Sequence, residues 1–240
     1  MYVASPKEAK GFVATLKRGA RSFAGVEAWV APSFTLLPGL AAATKGSSIK
    51  IGAQTVSAYT DGPRTGEVSA AMLKEAGASF AIVGHSERRA RGDTDGLVKE
   101  QLLHVVKEKL TAVLCVGEEE RTPEGAHFAF IEKQLSILKD AKPFTARIVV
   151  AYEPVWAIGK TAGESMPPQE LQETVIYIKR VLADIVGRAT ALKMPILYGG
   201  SVEPENAAAL VEEGGVNGFL VGHASAKIDA FVEILKSCRQ

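Results

Sequence analysis

The chain has 240 residues, 47% of them hydrophobic, and a formal net charge of +1. That length allows one or two domains, α/β barrels commonly run this long as one, and the apolar share can bury a sizeable core. The charge balance gives no reason to expect nucleic acid, no apolar run approaches a membrane span, and Lys7 and Glu8 stand where a signal peptide would place apolar residues.

In chain order, Ser5-Pro6-Lys7-Glu8 reads as a helix start: a capping Ser, Pro in the first turn, then an acidic residue. Ala9, Phe12, Val13 and Leu16 follow at helical spacing. Seven β-rich runs come next, at 26–33, 49–54, 80–85, 111–118, 147–154, 195–200 and 218–223. Helical patterns lie between most of them, and "KIDAFVEILKSC" closes the chain. Alternating strands and helices predict a parallel sheet covered by helices, and continuously apolar strands are those buried on both faces. The two cysteines, Cys115 and Cys238, form no motif, so a reduced, cytoplasmic protein is expected.

A dinucleotide-binding sheet would carry a Gly-rich fingerprint after its first strand, and none is present. Polar residues instead sit at the C-terminal ends of the runs: Ser33, Gln54, His85, Glu118, Glu153, Ser201 and His223. In a (β/α)₈ barrel those ends converge on one face and form the site. The expected fold is therefore a single barrel domain over residues 1–240, with seven strands identified and an eighth wanting.

Two segments, "IVGHSERR" (82–89) and "AYEPVWAIGK" (151–160), resemble the signatures of the triosephosphate isomerase family. The similarity extends through "APSFTLL" (31–37), "IGAQTVSAYTDGPRTGEVSAAML" (51–73), "LCVGE" (114–118), "LYGGSV" (197–202) and "GFLVGHAS" (218–225), in the family's order. The resemblance implies interconversion of dihydroxyacetone phosphate and D-glyceraldehyde 3-phosphate, a step of glycolysis and gluconeogenesis, with no cofactor and no metal. It implies Glu153 as the base, His85 as the electrophile that donates to the developing enediolate, and Glu87 in a supporting role. The family is itself a standing example of this pKa tuning, so these roles come from the resemblance. The chemistry is consistent: a carboxylate serves as base when desolvated, and a helix N-terminus favours neutral imidazole over imidazolium. The bland alternative for Glu153 is an ion-paired Glu at a strand end.

The phosphate site is expected from Gly159, Ser201, Gly222 and His223, where glycine turns offer backbone N–H groups to an anion. The plainer reading is that such glycines only permit tight turning. His104 and His127 read as outer-surface residues and Cys115 as a small buried hydrophobe.

Three departures from the family pattern stand out. The segment after the base usually reads "AIGTGK", where this chain has "AIGK" followed by "TAGESMPP". The family has Gly-Gly where this chain has Gly222-His223. The family's first strand ends "NWKM", and here that Met aligns with Met1, so the strand, the Asn and the Lys are not found. The expectation is a barrel incomplete at its N-terminus and impaired as a catalyst. The family is homodimeric through a long loop resembling residues 54–69, and a monomer or an altered assembly is expected here. The partner is a small phosphorylated triose. Two other readings stay open: a catalytically inactive phosphosugar-binding or structural homologue, and an isomerase for an aminated or larger phosphosugar. The intact "YEPVW" argues against the latter.

Overall fold

Ser5 opens the first helix: its Oγ accepts from the Glu8 N–H at 3.4 Å, with Pro6 in the first turn. The computed structural model describes residues 5–122, 124–161 and 164–239. In order the elements are α1 (Pro6–Gly19), β1 (Trp29–Val30), α2 (Leu37–Thr44), β2 (Lys50–Ala53), α3 (Ala70–Glu75), β3 (Phe80–Val83), α4 (Ser86–Arg89), α5 (Asp95–Lys107), β4 (Thr111–Val116), α6 (Ala126–Leu135), β5 (Ile148–Tyr152), α7 (Pro168–Val186), α8 (Arg188–Lys193), β6 (Ile196–Tyr198), α9 (Pro204–Glu213) and α10 (Ile228–Ser237). The residue aligned with the family's "NWKM" Met falls outside those described.

The strands form one parallel sheet in sequence order, β1 to β6. Successive side chains point to opposite faces. On one face, Phe80 and Ile82 of β3, Val113 and Cys115 of β4, and Val149 and Ala151 of β5 form an inner cluster. The intervening residues Ala81, Val83, Ala112, Leu114, Ile148, Val150 and Tyr152 belong to a larger cluster shared with the helices. Helices supply matching stripes: Val98, Leu102, Val105 and Val106 of α5, and Leu171, Val175, Ile178, Leu182 and Ile185 of α7, are buried. This two-layer burial explains why the strand runs are apolar throughout.

The seventh run does not become a strand among the described residues. Phe219 makes one parallel bridge to Tyr198, supported by Tyr198 N–H to Gly218 O at 3.0 Å and Leu220 N–H to Tyr198 O at 2.9 Å. Its neighbour β6 is only three residues long and offers little ladder to extend. No ladder among the described residues joins 218–223 to β1. Among the described residues the sheet layer therefore has a seam between these segments, and Trp29, Ala31 and Leu220 in them are only partly buried. Outside the seam the helix layer is continuous: α1 meets α10 through Phe12 and Phe231, ring centroids 5.9 Å apart.

Candidate active site

Glu153 follows directly on β5. Its backbone N–H continues the ladder to Val116 O at 2.8 Å, which carries the side chain to the carboxyl end of the sheet. The carboxylate is 3% exposed. Its Oε2 accepts from the Ser86 N–H at 2.9 Å, and its Oε1 lies 3.1 Å from His85 Nε2. Burial raises the Glu153 pKa above the ordinary carboxylate value, against the opposing pull of His85 and of the Ser86 N–H. A carboxylate so placed is a stronger base than one in water.

His85 and Ser86 reach Glu153 because β3 ends at Val83 and the chain turns at Gly84, with φ +71°, into the one-turn helix α4. His85 caps α4: its Nδ1 accepts from the Glu87 N–H at 3.3 Å. That acceptor role fixes the tautomer of the neutral ring, so the hydrogen is on Nε2 and points to Glu153. Glu87 thus meets His85 through its backbone N–H, while its side chain is exposed. Cys115 is fully buried beside Glu153, and burial together with that carboxylate pushes its thiol well above the ordinary range, so it is no nucleophile.

Gly117, at the end of β4, allows β5 to come this close. A Cβ there would stand 1.8 Å from the Glu153 carbonyl oxygen. Gly117→Ala is expected to destabilise the protein by about 3 kcal/mol, the upper end for forced overpacking. Urea unfolding would show it, and a variant indistinguishable from the parent would mean that the strand end relaxes freely.

Gly159 and Ser201 meet through neighbouring residues. Ser201 Oγ donates to Ala157 O at 2.9 Å and accepts from the Lys160 N–H at 2.9 Å, on either side of Gly159, whose φ is +74°. A hydroxyl has one hydrogen to give, and in the free chain that of Ser201 goes to the segment after Glu153. Gly222 and His223 lie on an exposed turn, with Ser225 N–H and Oγ both donating to Gly222 O, and hydrogen bonds among the described residues do not join them to Ser201. The departure at "TAGE" falls partly on residues 162 and 163, outside those described.

His127 is not an outer-surface residue. It is buried on α6, its ring 4.1 Å from that of Phe128, which in turn packs at 4.4 Å on Tyr177 of α7. His104 is half-buried. Glu118, read as one more polar strand end, is 2% exposed and lies behind the site rather than in it. Its Oε1 accepts from Tyr152 OH at 2.9 Å, Trp156 Nε1 at 2.8 Å and Arg121 Nε at 3.2 Å. Arg121 had no place among the expected site residues. Its signal was local: a cation three residues beyond a glutamate that follows an apolar strand.

A parallel α/β sheet that carries a buried carboxylate and an imidazole donor at the carboxyl ends of its strands defines a site for proton transfer next to a carbonyl. A profile of the triosephosphate isomerase family matches residues 1–238. The proteins named triosephosphate isomerase from Carboxydothermus hydrogenoformans and Thermus thermophilus are each 40% identical to this chain, over 97% of it and 93% of their own length. That of Bdellovibrio bacteriovorus is 42% identical over 96% of this chain and 93% of its own. The chain belongs to the triosephosphate isomerase family, an isomerase family.

Proposed function

We propose that the chain interconverts dihydroxyacetone phosphate and D-glyceraldehyde 3-phosphate. Glu153 takes a proton from the hydroxymethyl carbon beside the ketone, and the electron pair moves onto the carbonyl oxygen. His85 Nε2–H, which faces Glu153 in the free chain, turns to that oxygen when substrate lies between them and donates to it as charge develops there. The proton returns to the former carbonyl carbon, and one proton passes between the two oxygens, so atoms balance without an external oxidant or reductant. The single observation that carries this reading is the 3.1 Å approach of the buried Glu153 Oε1 to His85 Nε2. A coupled assay of the purified 240-residue chain with either triose phosphate tests it. Binding without turnover would contradict it.

We infer that the phosphate binds against Gly159, Ser201 and the Gly222-His223 turn; the tie of Ser201 to Ala157 and Lys160, which brings the segment around Gly159 to it, supports this reading. Inorganic phosphate soaked into crystals is expected there, and density elsewhere with this position empty would rule it out. Titration of a His223→Gly variant assigns the imidazole: weaker binding makes it a donor, tighter binding an obstruction.

A monomer or a loosened assembly is the expected state of these 240 residues, supported by the seam beside β1. Sedimentation showing a tight dimer would contradict it. A cytoplasmic location is inferred from the free cysteines Cys115 and Cys238. No described helix is long and apolar enough to cross a membrane.

A further inference from the structure

α6 buries Ile131, Gln134 and Leu135 on one face. An amide in such an apolar stripe is costly unless its polar atoms find partners. Gln134 is 3% exposed, and its Oε1 accepts from the Gly117 N–H at 2.7 Å.

That N–H needs a side-chain partner because β3 ends early. The Thr111 N–H donates to Ser79 O at 3.0 Å, and β3 and β4 stay in register as far as Val83 and Leu114. Carried on in the same register, a parallel ladder would bring the Gly117 N–H to His85 O. His85 O accepts instead from the Arg88 and Arg89 N–H groups of α4, at 2.8 and 2.9 Å. The turn that delivers His85 and Ser86 to Glu153 thus takes a carbonyl away from the end of β4, and the Gln134 side chain stands in for it.

One peptide links this substitution to Glu153. The Gly117 N–H and the Val116 C=O belong to the same planar unit. Gln134 holds it on the N–H side, and on the other side Val116 O accepts from the Glu153 N–H at 2.8 Å. Gly117 also lies against the Glu153 carbonyl oxygen, which a Cβ on Gly117 would meet at 1.8 Å. A tilt of this peptide moves the backbone that carries the base.

We propose that Gln134 is a positioning residue for Glu153: its amide oxygen replaces the strand carbonyl that α4 takes away, and so fixes the peptide to which the Glu153 backbone is bonded. The proposal rests on the reading of Glu153 as the base. Gln134, Gly117, Ser86 and Glu153 line one cavity of about 590 Å³. Without the Gln134 oxygen, the Gly117 N–H turns to water in that cavity and the peptide is free to tilt. A misplacement of about 1 Å at a reacting group costs about 10²-fold in rate.

The test combines kinetics with amide hydrogen exchange read residue by residue by NMR. Gln134→Leu removes the acceptor and keeps apolar bulk. It is expected to lower kcat by about 10- to 100-fold, with KM little changed. Relative to the Thr111 N–H at the other end of β4, the Gly117 and Glu153 N–H groups should exchange faster than in the parent. Leu135→Ala is the control for stability alone: it opens a cavity beside Gln134 on α6, and it should lower the melting temperature while kcat and the relative Gly117 protection stay as in the parent. Unchanged Gly117 protection in Gln134→Leu would overturn the proposal. An equal loss of kcat in Leu135→Ala at an equal loss of melting temperature would overturn it too. Should Gln134→Leu fail to fold, Gln134→Asn decides, because its amide is one methylene short of Gly117: a reduced kcat with faster Gly117 exchange supports the proposal, and a parent-like kcat overturns it. Glu153→Gln, assayed alongside, separates the two readings. If Glu153→Gln keeps the parent kcat, the assignment of the base fails; if Glu153→Gln is impaired and Gln134→Leu is not, the positioning role fails.

Discussion

Replacing Glu153 with Gln is expected to lower kcat by about 10²- to 10⁴-fold, the usual contribution of a positioned general base. The amide keeps the shape of the side chain and removes the basic oxygen that lies 3.1 Å from His85 Nε2. The same change alters stability in a pH-dependent way. Burial raises the Glu153 pKa in the folded state, so the folded protein favours the neutral carboxyl. The parent therefore loses stability relative to the unfolded chain as pH rises from the ordinary carboxylate range through the folded-state value. The amide in the Glu153→Gln variant carries no such charge. The stability difference between variant and parent should shift in favour of Glu153→Gln across that window and level off above it. Urea unfolding from acid to neutral pH reads this directly. A pH-independent difference would mean that Glu153 titrates alike in both states. In the parent, kcat/KM should fall on the acid side with a midpoint above the ordinary carboxylate value.

Closing the seam between β1 and 218–223 is expected to raise activity and stability together. For a polypeptide of these 240 residues, the two segments present strand edges with no ladder between them among the described residues. Open edges in a sheet are sites of unwanted pairing. Trp29 and Ala31 on one side and Leu220 on the other are only partly buried. A family-like strand ending Asn-Trp-Lys, fused ahead of Met1, would lie there. Each Val or Leu side chain that such a strand fully buries contributes about 1.5–3 kcal/mol, so the melting temperature should rise clearly. One restored preorganised donor near the enediolate is worth about 10²- to 10³-fold in kcat. Parallel assays and thermal melts of the two polypeptides check this. If the unextended chain already matches the extended one in both, the seam has no consequence for the site.

The sheet was legible in the sequence where strands are buried on both faces. β3, β4 and β5 read as unbroken apolar runs because one set of alternating residues fills the inner cluster and the other meets the helices. The run at 218–223 looks the same, yet it makes only one bridge among the described residues, because pairing depends on neighbours that a local pattern does not contain. The signature segments point to Glu153, His85 and Glu87, and the fold brings Glu153 and His85 within 3.1 Å of each other while Glu87 meets His85 through its backbone N–H. The bond from the Ser201 hydroxyl to Ala157 O could not be read locally, because the partners lie 44 residues apart in the chain. Arg121 and Glu118 escaped for the same reason. Their partners Tyr152, Trp156, Glu170 and Thr174 come from β5, the turn after it and α7, and only the fold brings them together. His127 misled because a histidine at the start of a helical pattern is usually solvated, whereas here Phe128 packs against its ring and Tyr177 of α7 lies beyond.

Whether Glu153 moves a proton at the carbon beside the carbonyl while His85 holds the oxygen is read by hydrogen exchange. Dihydroxyacetone phosphate is incubated in D₂O with the chain, and deuterium at the hydroxymethyl carbon is followed by proton NMR. Incorporation catalysed by the parent chain, strongly reduced in Glu153→Gln, is expected. Incorporation at the parent rate in Glu153→Gln, or none in the parent while the compound is bound, would contradict this role of Glu153.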